Sequence, residues 1–464
     1  MNLGLSDLLG LKGAKVLNGS VIEKVKFSGV SIDSRKCGVN DLFFAIKGER
    51  FDGHDFVDAV LKKNKPRCAV VSKKWYERLS GLKKSSFKNK CLVLVDDTVK
   101  SLGNLANIYR RKFVIPVIAV AGSNGKTSTK DFIAHVLSKK YNVLKTEGNF
   151  NNTIGVPLTL FRLNARHEFA VIEVGINHFG EIEYLCKIAM PQFGVVTNIG
   201  KEHLEFLKNI KGVAKAEGEL IDYLKEIHGT YFLNTDDKYL SKQADGSKMK
   251  IFSYGTKAKA DVKGRVKKFN MFYPQIEIKY LNKTINTRLN TIGYQSFQSA
   301  LSAAATGFYF EVSVAHIKKA ISQYKIESGK RNQLKNINGV WVIDDTYNSN
   351  PDSVIVALEN LKAYKTKGNK YIVLSDMLEL GASSKNEHWQ IGKAVKNMKF
   401  DNLYTFGEDS YQTYLGAKDV KNNYHFIDKE TLAEFLKLNI KKGDVVLVKG
   451  SRAMKMEEVV ESLK

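Results

Sequence analysis

Apolar runs of strand length alternate with segments of helical periodicity along most of the chain. The clearest unit lies near residue 120. The β-branched run 117–121 is followed by the small-residue turn 122–125, and apolar positions then recur with helical spacing through 131–137. This pattern predicts a strand, a tight loop and the start of a helix.

Comparable runs predict strands in three successive parts of the chain. At 464 residues the chain is too long for one core and suggests about three domains of roughly 100–200 residues each. Strands alternating with helical patterns predict an α/β fold. We expect a small N-terminal α/β domain (1–97), a central P-loop domain with a parallel sheet (98–313) that begins with a helix at 98–111, and a Rossmann-like C-terminal domain (314–464). The strand-like runs are 30–32, 41–46, 68–71, 91–95, 117–121, 169–174, 193–199, 340–343, 371–374 and 445–448.

The turn after residue 121 has the composition of a phosphate-binding loop. Its glycines let backbone N–H groups approach phosphate oxygens, and the helix start adds positive potential. Lys126 would reach the β- and γ-phosphates, and Thr127 would ligate Mg²⁺. The loop is shorter than the usual motif because Val120 stands where the first glycine belongs. An ordinary strand-to-helix turn is the alternative, but the strand-loop-helix context favours a nucleotide.

Several polar residues at or near strand ends are candidates for binding metal, phosphate or sugar. Glu173 lies inside an apolar strand, where a carboxylate must be paired or bound to metal, so it is a candidate Mg²⁺ ligand. His203 follows the next strand and is a candidate for a metal or phosphate site, with a satisfied polar side chain as the alternative. The amide side chains of the stretch 146–157 suit binding of phosphate and sugar hydroxyls. The alternative is an ordinary turn, which Asn and Gly also favour. The helix around 214–220 could simply present a solvated acidic face.

Three loops in the last third of the chain follow predicted parallel strands: 344–353, 375–381 and 449–455. Because the carboxyl ends of such strands meet at one edge of a sheet, we expect the three loops to form one binding surface. This surface belongs to a different domain from the P-loop, which implies a site closed by domain movement.

Composition narrows the class of protein. A hydrophobic fraction of 43% with 26% charged residues is that of a globular protein. We find no apolar run of membrane-spanning length and no leader pattern at the N-terminus, so we expect a cytoplasmic protein without a membrane partner. The net charge of +25 comes from lysines spread along the whole chain, which indicates a solvated surface and no nucleic-acid partner. The four cysteines lack metal-site spacing and are expected to be reduced thiols.

Seven segments together resemble the Mur ligase family, in family order and over nearly the whole chain. They are 47–54, 122–127, 148–157, 175–182, 344–351, 376–381 and 448–454. The resemblance implies an ATP-dependent amide ligase of cytoplasmic peptidoglycan synthesis, and a monomer. The loop 344–351 is similar to that of the members that add D-alanyl-D-alanine to UDP-N-acetylmuramoyl-tripeptide through an acyl phosphate.

The resemblance also implies site residues. Lys126, Glu173, His203 and Glu217 would be catalytic, with Thr127, Glu173, His203 and Glu217 holding Mg²⁺. ATP would contact Gly122, Ser123, Asn124, Gly125, Lys126, Thr127, Ser128, Arg331 and Asp345, with Lys330 as a competitor of Arg331. Substrate would contact Ser34, Arg35, Lys47, Gly48, Asn149, Asn152, Thr153, Asn348 and Pro351.

The sequence departs from the family pattern in two places. Glu217 stands where family members commonly carry a carbamylated lysine, and we expect its carboxylate to replace the carbamate, with Lys215 as the fallback. Gln295, Ser296 and Ser299 replace a histidine and two asparagines that face adenine, so we expect ATP use with altered base selectivity.

Other functions remain open at this point. Within ligases, a tripeptide-forming Mur enzyme or a folylpolyglutamate synthetase would share the central fold. A basic P-loop protein could instead be a nucleic-acid-dependent ATPase, whose hydrolysis would weaken steeply with salt. A binding protein without catalysis is the third alternative, which the intact Lys126, Thr127, Glu173 and His203 disfavour.

Overall fold

The protein has three β-sheets, one in each third of the chain. A computed structural model describes residues 1–63, 68–257, 259–326 and 332–464. The sheets take their strands from residues 15–95, 117–288 and 333–449. The α/β fold class is thereby confirmed, whereas the exact domain boundaries at 97/98 and 313/314 stay predictions. Within the described ranges, no helix is long and apolar enough to cross a membrane.

The N-terminal sheet has the order β1-β5-β4-β3-β2, in which β2 to β5 run parallel and β1 is antiparallel to β5. Three of its helices have only five residues, too few for helical periodicity to show in the sequence. The strands are Lys15–Leu17 (β1), Gly29–Ser31 (β2), Asp41–Phe44 (β3), Cys68–Ser72 (β4) and Cys91–Val95 (β5). The helices are Leu5–Leu9 (α1), Val57–Lys63 (α2), Lys73–Glu77 (α3), Gly81–Ser85 (α4) and Thr98–Arg110 (α5), with 3-10 turns at Gly19–Ile22 and Gly53–Phe56.

The central sheet has nine strands in the order β14-β13-β12-β11-β10-β9-β6-β8-β7. Its helices cover both faces of the sheet, α12 packing on α6. The strands are Val117–Ala121 (β6), Val143–Lys145 (β7), Phe169–Glu173 (β8), Phe193–Val196 (β9), Thr230–Asn234 (β10), Lys250–Gly255 (β11), Val262–Asn270 (β12), Tyr273–Tyr280 (β13) and Lys283–Arg288 (β14). The helices are Lys126–Leu137 (α6), Gly155–Leu160 (α7), Glu181–Ala189 (α8), Leu204–Leu207 (α9), Ile210–Glu226 (α10), Lys238–Ala244 (α11), Gly293–Tyr309 (α12) and Val314–Gln323 (α13).

Only part of the central sheet is the parallel sheet that the sequence predicts. Strands β6 to β12 run parallel, as predicted, but β12, β13 and β14 form an antiparallel meander that extends the sheet. The meander was missed because much of β12 is exposed and its lysines interrupt any apolar run. Antiparallel strands can tolerate one wet face, whereas parallel strands are usually covered on both.

The C-terminal sheet has the order β15-β16-β20-β17-β18-β19, parallel except for β15. Because β16, β20 and β17 are parallel neighbours, the three loops that follow them meet at one edge, as the sequence predicts. The strands are Gln333–Ile337 (β15), Val340–Asp345 (β16), Lys370–Ser375 (β17), Asn402–Phe406 (β18), Asn422–Phe426 (β19) and Val445–Lys449 (β20). The helices are Pro351–Ala363 (α14), Ser384–Asn397 (α15), Ser410–Gly416 (α16), Lys429–Asn439 (α17) and Glu457–Ser462 (α18), with 3-10 turns at Gly381–Ser383 and Arg452–Met454.

One of the buried hydrophobic clusters spans all three units. A contiguous cluster of buried side chains runs from Leu3 in the first unit to Leu447 in the third. The four cysteines are buried free thiols, as expected. The parts of the chain therefore pack against one another, and this packing brings loops of the second and third units together.

Candidate active site

The loop after β6 is held in place by the end of the neighbouring strand β9. The Ser123 amide donates to the Asn198 carbonyl at 2.9 Å, and the Thr197 hydroxyl donates to the Asn124 carbonyl at 2.7 Å. Gly122 has a φ of 115°, and a Cβ built there would lie 2.2 Å from Thr197 Oγ1. Only glycine fits at this position, because both the backbone conformation and the close approach exclude a side chain.

The first cavity, of about 240 Å³, opens on one side of this loop. It is lined by polar side chains from the P-loop, from the amide-rich loop before α7 and from the C-terminal unit. The predicted site residues among them are Ser123, Gly125, Lys126, Thr127, Asn149, Asn152, Thr153, Glu173, His203 and Asn348. A cavity with amide donors, a lysine and a helix N-terminus on one wall suits a phosphate group.

Glu173 and Thr127 form a pair of oxygen donors in this cavity. Glu173 ends β8 and is 1% exposed. Its Oε1 accepts hydrogen bonds from Thr127 Oγ1 at 3.1 Å and from Asn151 Nδ2 at 2.9 Å. Its Oε2 is buried and accepts no hydrogen bond from any residue that the structure describes. A hydroxyl and an unsatisfied carboxylate oxygen side by side fit a hard cation such as Mg²⁺.

A fully buried lysine lies behind this pair. Lys130 Nζ donates to the Thr146 carbonyl at 2.6 Å and lies 3.2 Å from Asp131 Oδ1 and 3.9 Å from Glu173 Oε2. Burial lowers the pKa of Lys130, and the carboxylates of Asp131 and Glu173 oppose this shift. The base of the site therefore carries a buried network of opposite charges.

A second acidic group lies under the P-loop lysine. Lys126 Nζ donates to the Gly122 carbonyl and lies 3.4 Å from Glu202 Oε2 and 3.8 Å from Glu217 Oε1. Glu217 is fully buried and accepts a hydrogen bond from the Gly122 amide at 2.6 Å. Burial raises the pKa of Glu217 well above its ordinary value, and the charge of Lys126 opposes this shift. The alternative of a solvated acidic face is wrong for Glu217.

The second cavity, of about 330 Å³, lies on the other side of the P-loop, between it and α14. The predicted site residues that line it are Asn124, Gly125, Ser128 and Asp345, together with the departing positions Gln295 and Ser296. Asp345 is paired with the buried Lys449, whose Nζ lies 2.7 Å from its Oδ2. This cavity is the less polar of the two, as a pocket for a flat base and a ribose would be.

Direct contacts tie the P-loop side of the site to the C-terminal unit. Asn350 Nδ2 donates to Asn124 Oδ1 at 3.0 Å, and the Lys201 amide donates to Asp352 Oδ2 at 2.6 Å. Lys201 Nζ also forms an ion pair with Glu387 at 2.7 Å. The structure therefore brings together the two surfaces that the sequence places on different domains.

Comparison with known proteins identifies the family. The Mur ligase middle domain matches residues 120–307, the Mur ligase glutamate ligase domain matches 330–452, and the Mur ligase family catalytic domain matches 26–118. The UDP-N-acetylmuramoyl-tripeptide–D-alanyl-D-alanine ligase of Bacillus subtilis strain 168 is 34% identical, over 95% of this chain and 94% of that protein. The chain belongs to the Mur ligase family.

Solved structures agree with this assignment. A crystal structure of MurF from Acinetobacter baumannii superposes with a TM-score of 0.88 at 28% identity, covering 100% of this chain and 99% of that chain. MurF ligase from Thermotoga maritima in complex with ADP gives a TM-score of 0.82 at 28% identity, covering 94% and 96%. The family resemblance stated from the sequence is therefore confirmed.

Some predicted site residues of this Mur ligase lie away from both cavities. Arg35 is exposed and forms an ion pair with Asp33, and its hydrogen bond lowers the pKa of Asp33 to about 2. Pro351 is buried at the first turn of α14, where proline is favoured because no amide is needed. Ser34, Lys47 and Gly48 lie in the N-terminal unit and line neither cavity, whereas Arg331 and Lys330 fall outside the described residues. Their predicted contacts stay predictions.

The structure also adds residues that the sequence analysis did not single out. Glu202 lines the first cavity with a buried oxygen that has no hydrogen-bond partner, and Asn151 binds Glu173. Lys449 lines the second cavity beside Asp345. Glu202 could have been found from its position beside His203 at a strand end, but Lys449 could not, because its partner lies 104 residues away.

Proposed function

We propose that the chain joins D-alanyl-D-alanine to UDP-N-acetylmuramoyl-tripeptide at the expense of ATP. The observation that carries this proposal is that relatives named for this reaction match along nearly the whole chain. The walling of the P-loop cavity by both the central and the C-terminal unit agrees with it. The geometry supports the same chemistry, because such a ligase must bring an anionic carboxylate to an anionic phosphate. It must also keep water away from the acyl phosphate that forms.

The residues of the first cavity provide the charge balance that this reaction needs. The terminal carboxylate of the tripeptide attacks the γ-phosphorus of ATP, giving an acyl phosphate and ADP. The amine of the dipeptide then forms the amide bond, and phosphate leaves. Lys126 neutralises charge on the transferred phosphoryl group. The side chains of Asn149 and Asn152 orient the UDP-muramoyl-tripeptide. Positioning two anions in line is the main task of such a site.

Mg²⁺ fits the donor set of this site. Thr127 and Glu173 would hold one ion, and His203 with Glu202 or Glu217 would hold another. Among the described residues, no three His, Cys, Asp or Glu side chains lie close enough to hold a metal alone. Mg²⁺ commonly takes one or two carboxylates and completes its shell with substrate phosphates and water. When bound, it would supply positive charge to the phosphate oxygens.

The decisive experiment measures phosphate release from ATP and Mg²⁺ while each substrate is omitted in turn. We expect release only when the UDP-muramoyl-tripeptide and D-alanyl-D-alanine are both present, with a product heavier by the dipeptide less water. Thr127→Val should lower the rate by at least about 100-fold, whereas a surface change such as Lys211→Met should not. Release that ignores both substrates but responds to nucleic acid would overturn the assignment.

We further propose that Glu217 replaces the carbamylated lysine of other members. Its support is the position of the carboxylate, beneath the P-loop and 3.8 Å from Lys126 Nζ. Bicarbonate should then leave the activity of bicarbonate-depleted protein unchanged at low pH. Clear rescue by bicarbonate would refute this role and favour Lys215. The enzyme would work in the cytoplasm as a monomer without nucleic acid, and gel filtration with light scattering tests the monomer.

A further inference from the structure

The loop after β17, residues 376–381, belongs to a motif that the proposed function does not use. It is anchored firmly in the C-terminal unit. The Met377 amide donates to His388 Nε2 at 3.0 Å, and the Leu378 amide donates to Ser451 Oγ at 2.9 Å. The loop therefore moves with the C-terminal unit and not with the P-loop.

The tip of this loop docks on the central unit beside His203. The Glu205 amide donates to the Glu379 carbonyl at 3.2 Å. Gly381 has a φ of 54°, and a Cβ built there would lie 3.1 Å from Glu205 Cα. The two backbones thus approach closely at the start of α9, which His203 precedes as its N-cap.

The carboxylate of Glu379 reaches the histidine ring. Glu379 Oε2 lies 2.6 Å from His203 Nδ1 and forms an ion pair with it. The contact lacks hydrogen-bond geometry, because the buried Nδ1 makes no hydrogen bond to any described residue. The other ring nitrogen, Nε2, lies 3.8 Å from Glu202 Oε2, and His203 lines the first cavity. Both Glu379 and His203 have positive φ, of 63° and 49°. Such conformations are uncommon for these residue types and persist where surrounding contacts hold them.

We propose that Glu379 is a positioning residue supplied by the C-terminal unit, which holds Nδ1 of His203 and leaves Nε2 facing the phosphate cavity. A histidine that serves a metal or phosphate site is usually oriented by a carboxylate or carbonyl at its other nitrogen. Here that partner lies on the opposite unit, so this part of the site is complete only while the units are docked. The inference rests on the proposed function for the chemistry at Nε2.

The test uses Glu379→Ala, Glu379→Gln and a matched control, Glu387→Gln. The control removes a different ion pair between the same two units, the one with Lys201, and leaves His203 untouched. The Mg²⁺ concentration for half-maximal phosphate release should rise about 10-fold in Glu379→Ala, a typical effect of losing such a partner. In Glu379→Gln an amide oxygen can take the place of the carboxylate oxygen beside Nδ1, and this variant should keep most of the activity. Glu387→Gln measures the effect of weakened docking alone, and the rise in Glu379→Ala should clearly exceed it.

A second readout needs neither metal nor substrate. Long-range ¹⁵N–¹H spectra of histidine-labelled protein at pH 8 report which ring nitrogen carries the proton, and His203→Asn identifies the signal. We expect an Nδ1-protonated ring in the wild type and in Glu379→Gln, and a tautomer mixture in Glu379→Ala. Because this measurement is made without ATP, it can succeed even if the wild type proves to have another activity.

The outcomes separate the two proposals. If Glu379→Ala matches Glu387→Gln in both readouts, the contact is structural and the positioning role is refuted. An Nδ1 without a proton in the wild type refutes it as well. If the wild type releases no phosphate with both substrates while the spectra behave as expected, the proposed function fails and the positioning of His203 stands.

Discussion

Replacing Lys126 by methionine should reveal how strongly the stability of the P-loop depends on its lysine when no nucleotide is bound. Lys126 Nζ lies within 3.8 Å of two buried carboxylates, Glu202 and Glu217, whose side chains are 8% and 0% exposed. Lys126 is the cation that opposes the raised pKa of the buried Glu217. Lys126→Met therefore leaves two carboxyl groups together without a cation, whereas Lys126→Met with Glu217→Gln leaves only one.

Breaking a buried pair by removing one partner costs about 3–5 kcal/mol, because the remaining charge stays desolvated. For a unit of about 200 residues, each kcal/mol shifts the melting temperature by about 2–4 °C. We therefore expect Lys126→Met to lower the melting temperature of the nucleotide-free central unit by about 6–20 °C. The double variant should recover most of this loss, since it removes the uncompensated charge.

Differential scanning calorimetry provides the assay, using the transition that ATP and Mg²⁺ raise in the wild type. Lys211→Met, on the exposed face of the same helix as Glu217, is the control and should shift it little. Phosphate release should stay at least about 100-fold below wild type in both Lys126 variants. A double variant as unstable as Lys126→Met would refute the charge argument, and recovery of activity would refute the phosphate role of Lys126.

Three further results follow from single positions. Arg35→Ala should raise the pKa of Asp33 from about 2 towards its ordinary value of 3.8, measured by carboxyl NMR. Because the folded pKa is depressed, the stabilising contribution of this pair is present above pH 4 and lost as the pH falls through 2. An unchanged pKa in the variant would contradict the pairing. Gly122→Ala should lower kcat/KM for ATP by at least about 100-fold, because the added methyl group displaces the P-loop. Gly246→Ala is the control and should not lower it, since Gly246 also has a positive φ, of 66°, but has open space around it. With Gln295 lining the second cavity, ATP should remain the preferred nucleotide with weakened base selectivity, and equal turnover with GTP would show that discrimination is lost.

The sequence predicts the P-loop unit well because its signals are local. A continuous apolar strand, a glycine turn and a helical repeat lie within about 20 residues, and each element forms where its own residues favour it. The shared edge of β16, β17 and β20 is predictable for a similar reason. Parallel strands with intervening helices place the loops that follow them at the same end of a sheet.

The burial of Glu217 could not be predicted, since a glutamate on an amphipathic helix is expected to face water. Its buried carboxylate accepts a hydrogen bond from the Gly122 amide at Oε2, and Lys126 Nζ lies 3.8 Å from Oε1. Both partners are more than 90 residues away in the chain. The pairing of His203 with Glu379 also depends on contacts between units. Local periodicity carries no information about such partners.

A nucleotide in the second cavity would make ligand binding and domain docking parts of one equilibrium. Its walls include Asn124 and Ser128 from the central unit and Asp352 and Val356 from the C-terminal unit. A ligand that contacts both walls binds the docked arrangement more tightly than a separated one, and it must therefore shift the equilibrium towards docking. Docking in turn brings Asn348 to the first cavity. On the proposed function, a nucleotide bound on one side of the P-loop would thus help to complete the substrate site on the other, before the acyl phosphate is formed.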